Sequence, residues 1–192
     1  MPKPSRREAI LTAAAERIVQ VGLDELRMQD VAELAQVNPQ LLAYHFPNRA
    51  ALIVAVLGYA ADRAPSVNML HEGGFGSAID TLRAALLAEF DESSSVRNLN
   101  LVWNEAAALP DADADLMRAL ADVTSAWDDR VTIGVLQCIA EGTMRNDEHP
   151  REIASVLTAT VEGLSQSWLA GVISTKAAQD ALAALLDVYR TD

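Results

Sequence analysis

Apolar residues return every third or fourth position from the first turns of the chain: Ile10, Leu11, Ala14, Ala15, Ile18 and Val21 line one side of a 3.6-residue spiral. That segment opens on Ser5-Arg6-Arg7-Glu8, a capping-box pattern in which hydroxyl and carboxylate satisfy free amides at a helix start. Gly22 fits the left-handed position after its last turn. A second helix is predicted from about Met28 to Ala35, burying Val31, Leu34 and Ala35. Three residues later Asn38-Pro39 joins a strong N-cap to the residue best suited to a first helical position. The third helix is short, because Pro47 disfavours helical geometry at Phe46. Asn48 caps a fourth, carrying Leu52, Val56 and Tyr59 and stopping near Pro65.

The remainder reads as a helical body. Residues 71–77, HEGGFGS, form a loop; helices follow from about Ser77 to Phe90, from beyond DESSS to Leu109, and from about Ala112 to Glu141. His149-Pro150 opens another to about Leu169, and Thr175 caps the last, ending near Tyr189. No long strand-period segment, repeat or low-complexity linker interrupts them. The expected fold is all-α with about nine helices. A helix-turn-helix head occupies residues 1–48, helix four connects from about 49, and a larger helical domain spans 49–192.

Composition agrees. Of 192 residues 51% are hydrophobic but only 5% aromatic, and Ala and Leu, which lose little entropy in a helix, dominate. The net charge of −12 is unevenly spread: residues 1–50 hold six basic and six acidic side chains, so the whole excess lies beyond them. An acidic body is repelled by nucleic acid and helps aim the neutral end at it, although proteins that never meet DNA share this asymmetry. The single cysteine, Cys138, excludes an intrachain disulfide and suggests a reducing compartment. No apolar run approaches the ~18 residues of a membrane span, and MPKPSRREAI has no signal-peptide core, so the expectation is a cytoplasmic protein with no membrane partner.

Helix, three-residue turn and short helix together suit a major groove about 12 Å wide. Val37, Leu41, Leu42 and Phe46 would pin the third helix, leaving Asn38, Gln40, Ala43 and Tyr44 outward. Gln pairs bidentately with adenine, Ala touches a thymine methyl, and Tyr reaches a phosphate or base edge. Amides at Asn48 to Ala50 open helix four, where its dipole favours a phosphate. Arg27, His45, Arg49 and the basic tip of Lys3, Arg6 and Arg7 complete the candidate DNA contacts; His45 equally suits packing, and the tip equally suits a solvated terminus.

Other motifs carry less. D-A-D-A-D at 111–115 lacks the Gly and Glu of a calcium loop, with Leu116 and Asp122 at those positions, and matches acids complementing a helix N-terminus. G-L-S-Q-S at 163–167 lacks the final Gly of a nucleophile elbow. His45, His71 and His149 have no ligand spacing, and G-G-F-G at 73–76 follows no strand. Neither a metal, a cofactor nor an enzymatic activity is expected.

The stretches 22–35 (GLDELRMQDVAELA), 37–46 (VNPQLLAYHF) and 47–52 (PNRAAL) resemble the TetR (tetracycline-repressor-like) family of bacterial transcription regulators. The resemblance covers about residues 5–60. Four positions depart from it. Arg27 replaces the usual capping Thr or Ser, at about 1 kcal/mol; Gln36 replaces the turn Gly, at about 1 kcal/mol; Ala43 replaces a frequent Tyr; Arg49 replaces Lys. WNEAAALPD (103–111) and the HPREI opening of the penultimate helix lie nearest the choline-sensing branch.

The resemblance implies a homodimeric repressor, an inverted-repeat double-stranded DNA operator, and a small-molecule effector held in a cavity of the body. Trp103, Asn104, Glu105, Trp127 and Gln137 are the candidate lining, although tryptophans serve equally as core, and a glutamate beside aromatics suits a cationic ligand. Val156, Thr160, Val161, Leu164 and Trp168, with Leu182, Leu185 and Leu186, give stripes wide enough for both core and partner chain. The alternative is a helical partner-binding protein whose head has lost DNA reading, for which Gln36 and Ala43 are the best support.

Overall fold

The computed structural model describes residues 5–72, 76–108 and 114–191. Among these, ten helices follow in order: α1 (Arg6–Val21), α2 (Met28–Leu34), α3 (Pro39–His45), α4 (Arg49–Ala61), α5 (Pro65–Glu72), α6 (Ala78–Ala88), α7 (Ser94–Ala107), α8 (Ala114–Ala140), α9 (Pro150–Leu169) and α10 (Thr175–Val188). The all-α expectation holds. The tenth element is α5, whose start at Pro65 reads from sequence as a stop. Proline both ends a preceding helix and begins a new one, since its missing N–H lies among those that no intrahelical carbonyl would accept. Residues 109–113, which include most of the acidic run, and Lys3 lie outside the described residues.

The caps predicted for α1, α3 and α4 form. Ser5 Oγ accepts from Glu8 N at 3.1 Å while Glu8 accepts from Ser5 N at 2.9 Å. Asn38 Oδ1 accepts from Leu41 N at 2.7 Å, and Asn48 Oδ1 from Ala51 N at 2.8 Å. Arg27 offers α2 no side-chain cap, and Gln36 takes the left-handed turn position at φ 53°. The last helix is capped by Ser174, not Thr175. Thr175 Oγ1 instead accepts from Trp168 Nε1 at 2.9 Å and donates to Glu92 at 2.7 Å.

Gly22 departs from the expected conformation. Its N–H closes α1 on Ile18 O at 2.8 Å, but its backbone sits at φ 80°, ψ 164°, a region only glycine enters readily, rather than the left-handed helical one. A Cβ there would lie 3.4 Å from Glu105, an ordinary contact, so backbone strain alone decides. Gly22→Ala should therefore lower stability by about 1–3 kcal/mol. Urea denaturation with an unmoved midpoint would contradict this geometry.

The chain divides into two compact units: residues 1–62 with 101–123, and 63–100 with 124–192. The boundary expected at residue 48 falls inside the first. The reason is the buried face of α4: Leu52, Ile53, Val56 and Leu57 share one core with Ile10, Leu11, Ala14 and Ile18 of α1, joined by Val102, Ala106, Leu116 and Leu120. Periodicity shows that a helix buries a face without showing against which core. The second core gathers Ile79, Leu82, Leu86 and Phe90 with Val131, Val135 and Cys138, and with Ile153, Leu157, Trp168, Leu182 and Leu186.

Candidate nucleic-acid interface

The short helix α3 is anchored on one side only. Leu42 and Phe46 are each 2% exposed, Val37 is half-buried against the first core, and Leu41 is half-buried. Asn38, Pro39, Gln40, Ala43 and Tyr44 are exposed on the other side, Tyr44 by 82%. Leaving a large aromatic ring in water forgoes burial worth roughly 1.5–3 kcal/mol, so its placement fits a surface that another molecule covers. The face offers an amide, a methyl and a phenol within two turns, the set that reads base edges.

The flanks are mixed. Arg7 places its guanidinium carbon 5.5 Å from the Phe46 ring centroid, which brings the start of α1 beside the end of α3. Arg6 and Arg27 are exposed, and Arg27 pairs only distantly with Glu25, at 3.7 Å. His45 is half-buried, its ring edge-on to Tyr44 at 5.3 Å and tilted to Phe46 at 6.2 Å. Asn48 is exposed but commits its carbonyl oxygen to the cap of α4.

Arg49, expected among the phosphate contacts, bonds to backbone carbonyls of the chain itself. Its Nε donates to Leu26 O at 3.2 Å and its Nη2 to Leu23 O. From the opposite sign, Glu105 Oε2 accepts from Leu23 N at 3.1 Å. The corner between α1 and α2 is thus held by a guanidinium on its carbonyls and a carboxylate on its amide. Charge-assisted bonds of this kind are about twice as strong as neutral ones. Glu105 lies 82 residues from its partner, and no local pattern announces such a contact.

A profile of bacterial regulatory proteins of the tetR family matches residues 10–56. A crystal structure of a Rhodococcus sp. protein described as a TetR-family transcriptional regulator shares 40% identity over 97% of this chain and 98% of its own, with a TM-score of 0.89. The chain belongs to the TetR family.

Other relatives of this TetR-family chain match over a shorter stretch or at lower identity. The Escherichia coli K12 HTH-type transcriptional regulator RutR is 40% identical over 58 residues, 30% of this chain; the match spans only 27% of RutR. A Saccharomonospora viridis transcriptional regulator, solved in complex with choline, superposes with a TM-score of 0.80 over 97% of both chains at 20% identity, a likeness of fold. The proteins it resembles are described as regulators rather than enzymes.

The five candidate effector residues do not gather in one unit. Trp103 packs against the first core, with Asn104 and Glu105 in the same unit, and the Glu105 carboxylate is committed to the α1–α2 corner. Trp127 packs against the second core, and Gln137 is exposed on α8. Sequence proximity to tryptophan suggests shared lining, but neighbours on a helix point to different faces.

The expected dimer stripe also divides. Val161, Trp168, Leu182 and Leu186 are buried inside the second unit, where Trp168 is stacked edge-on to Phe90 at 5.8 Å, so they pack in its core. Thr160, Leu164 and Leu185 are half-buried. Outward lie Val156 on α9, 43% exposed, and Ala177, Ala181, Ala184 and Val188 along α10. Cys138 is fully buried, and burial pushes its thiol up to about 11, keeping it protonated and unreactive.

Proposed function

We propose that this TetR-family chain is a transcriptional repressor that binds an inverted-repeat operator as a two-fold dimer and leaves it when a small molecule binds the body. The single observation that carries the DNA-binding reading is α3 held by Leu42 and Phe46 with Gln40, Ala43 and Tyr44 in solvent. The dimer reading draws on the outward stripe of small apolar residues along α10, Ala177, Ala181, Ala184 and Val188, together with Val156 and the half-buried Thr160 of α9. Small side chains let two helices approach a symmetry-related pair closely, and a two-fold axis sets recognition helices about 34–36 Å apart, or a multiple of that. An effector shifts the repressor only by its difference in affinity between the DNA-competent and incompetent states.

Selection of DNA from a random pool, followed by mobility shift, tests the reading. Recovery of an inverted repeat bound by two chains supports it; a pool that shows no enrichment sinks it and favours the partner-binding alternative. Tyr44→Ala should weaken binding to the selected sequence by about 5- to 150-fold per half-site, the contribution of one base contact at about 1–3 kcal/mol. Its effect on unrelated DNA should be several-fold smaller. Equal losses on both would show that Tyr44 does not read bases.

A further inference from the structure

The second unit carries a polar seam in an otherwise apolar interior. Ser66 of α5, fully buried, donates its hydroxyl to Glu89 Oε1 at the end of α6. Asn100 of α7 donates Nδ2 to Glu89 O at 3.1 Å and accepts through Oδ1 from buried Ser165 of α9 at 2.9 Å. Four helices thus meet at one carboxylate and the amide and hydroxyl behind it. A buried carboxylate ordinarily collects several donors, because its oxygens offer about four acceptor sites. Among the described residues the Glu89 carboxylate accepts only from Ser66, and no cation pairs with it.

Two further observations locate the spare acceptor capacity. Glu89 keeps some accessible surface, unlike Ser66 beside it. Yet burial is the leading cause pushing its carboxyl up, against the opposing pull of the Ser66 hydroxyl. A carboxylate kept there without a matching donor lowers stability, and such costs are usual where a site is organised for something it binds.

We propose that Glu89, backed by Ser66, is the polar end of the effector site, and that it takes an organic molecule bearing a protonated amine, whose N–H groups fill the unused carboxylate capacity. Ser66 orients the carboxylate, while Asn100 and Ser165 fix the backbone that carries it. The charge of the amine is neutralised on burial, and its apolar part packs on the surrounding side chains. This rests on the effector reading above, whereas Glu105, the carboxylate expected from sequence, is occupied in the other unit.

The test uses the full-length protein without DNA, so its outcome is separate from that of the operator experiment. Thermal melting is followed with a set of alkyl and aryl primary amines, each at saturating concentration beside the alcohol of the same shape. Wild type should be stabilised by at least one amine and not by its alcohol. Glu89→Gln, which keeps the Ser66 hydrogen bond, should lose that difference while its ligand-free melting temperature stays level or rises. Glu162→Gln serves as the control: this half-buried acid of the same unit is likewise pushed up by burial, and by Asp128 as well. It should keep the amine response. The proposal is overturned if no amine exceeds its alcohol, if Glu162→Gln loses the response as fully as Glu89→Gln, or if Glu89→Gln melts several degrees lower without ligand, which would mark a purely structural seam.

Discussion

Phe46→Ala should lower the free energy of unfolding by about 3–5 kcal/mol and remove operator binding at concentrations where the wild type is saturated. The ring is 2% exposed and belongs to the core shared by α1, α2 and α4. It also sits under the Arg7 guanidinium and beside the His45 ring. Truncation leaves a cavity that collapses only in part, and its location matters more than its volume. Seven-residue α3 makes too few internal hydrogen bonds to hold its own direction. Leu42 and Phe46 give it that direction, so losing one anchor lets the exposed face swing. Against a total stability of about 5–15 kcal/mol, such a loss leaves a folded but less stable chain in the favourable case. Urea denaturation measures the first effect and mobility shift the second. A variant that kept both within experimental error would show that α3 is positioned by something other than its apolar side.

Salt should act as strongly on the complex as that truncation does on the head. Raising monovalent salt from about 50 to about 200 mM should weaken operator binding by about 10³-fold or more, on the basis of six or more phosphate contacts in a dimer. Each head offers Arg6 and Arg27 in solvent, the exposed Asn48 amide group and the first turn of α4. Arg7 lies close by, although it is partly engaged with Phe46. Arg49 is not counted, because its guanidinium serves the α1–α2 corner. Binding constants at four or five salt concentrations give the slope, and a slope near zero would exclude a phosphate-tracking interface. The acidic remainder of the chain sharpens the expectation. Residues beyond 50 carry the entire net charge of −12, so attraction comes only from a local basic surface.

The operator is the more open of the two partners. Gln36 costs α2 and α3 some turn stability without preventing the turn, because the backbone adopts φ 53° there all the same. Ala43 leaves a small methyl where a larger side chain would reach a phosphate, which places more of the reading on Gln40 and Tyr44.

Local physics wrote much of this protein into its sequence. Ser5, Asn38 and Asn48 cap because their short side chains reach amides three residues on, an interaction wholly contained in one turn. The outward position of Asn38, Gln40, Ala43 and Tyr44 follows from the spacing of Leu42 and Phe46, and the uncapped Arg27 and left-handed Gln36 follow from which residue occupies a fixed place in a known turn. Helix α5 is hidden from such reading because proline punctuates helices at both ends. Tertiary structure alone decided the rest. It chose which half of the broad stripes on α9 and α10 turned inward, burying Val161, Trp168, Leu182 and Leu186. It also joined Glu105 to Leu23, Arg49 to the same corner, and Glu89 to Ser66. Those pairings lie 23 to 82 residues apart, and a periodic pattern records how a helix divides polar from apolar without recording which neighbour meets either side.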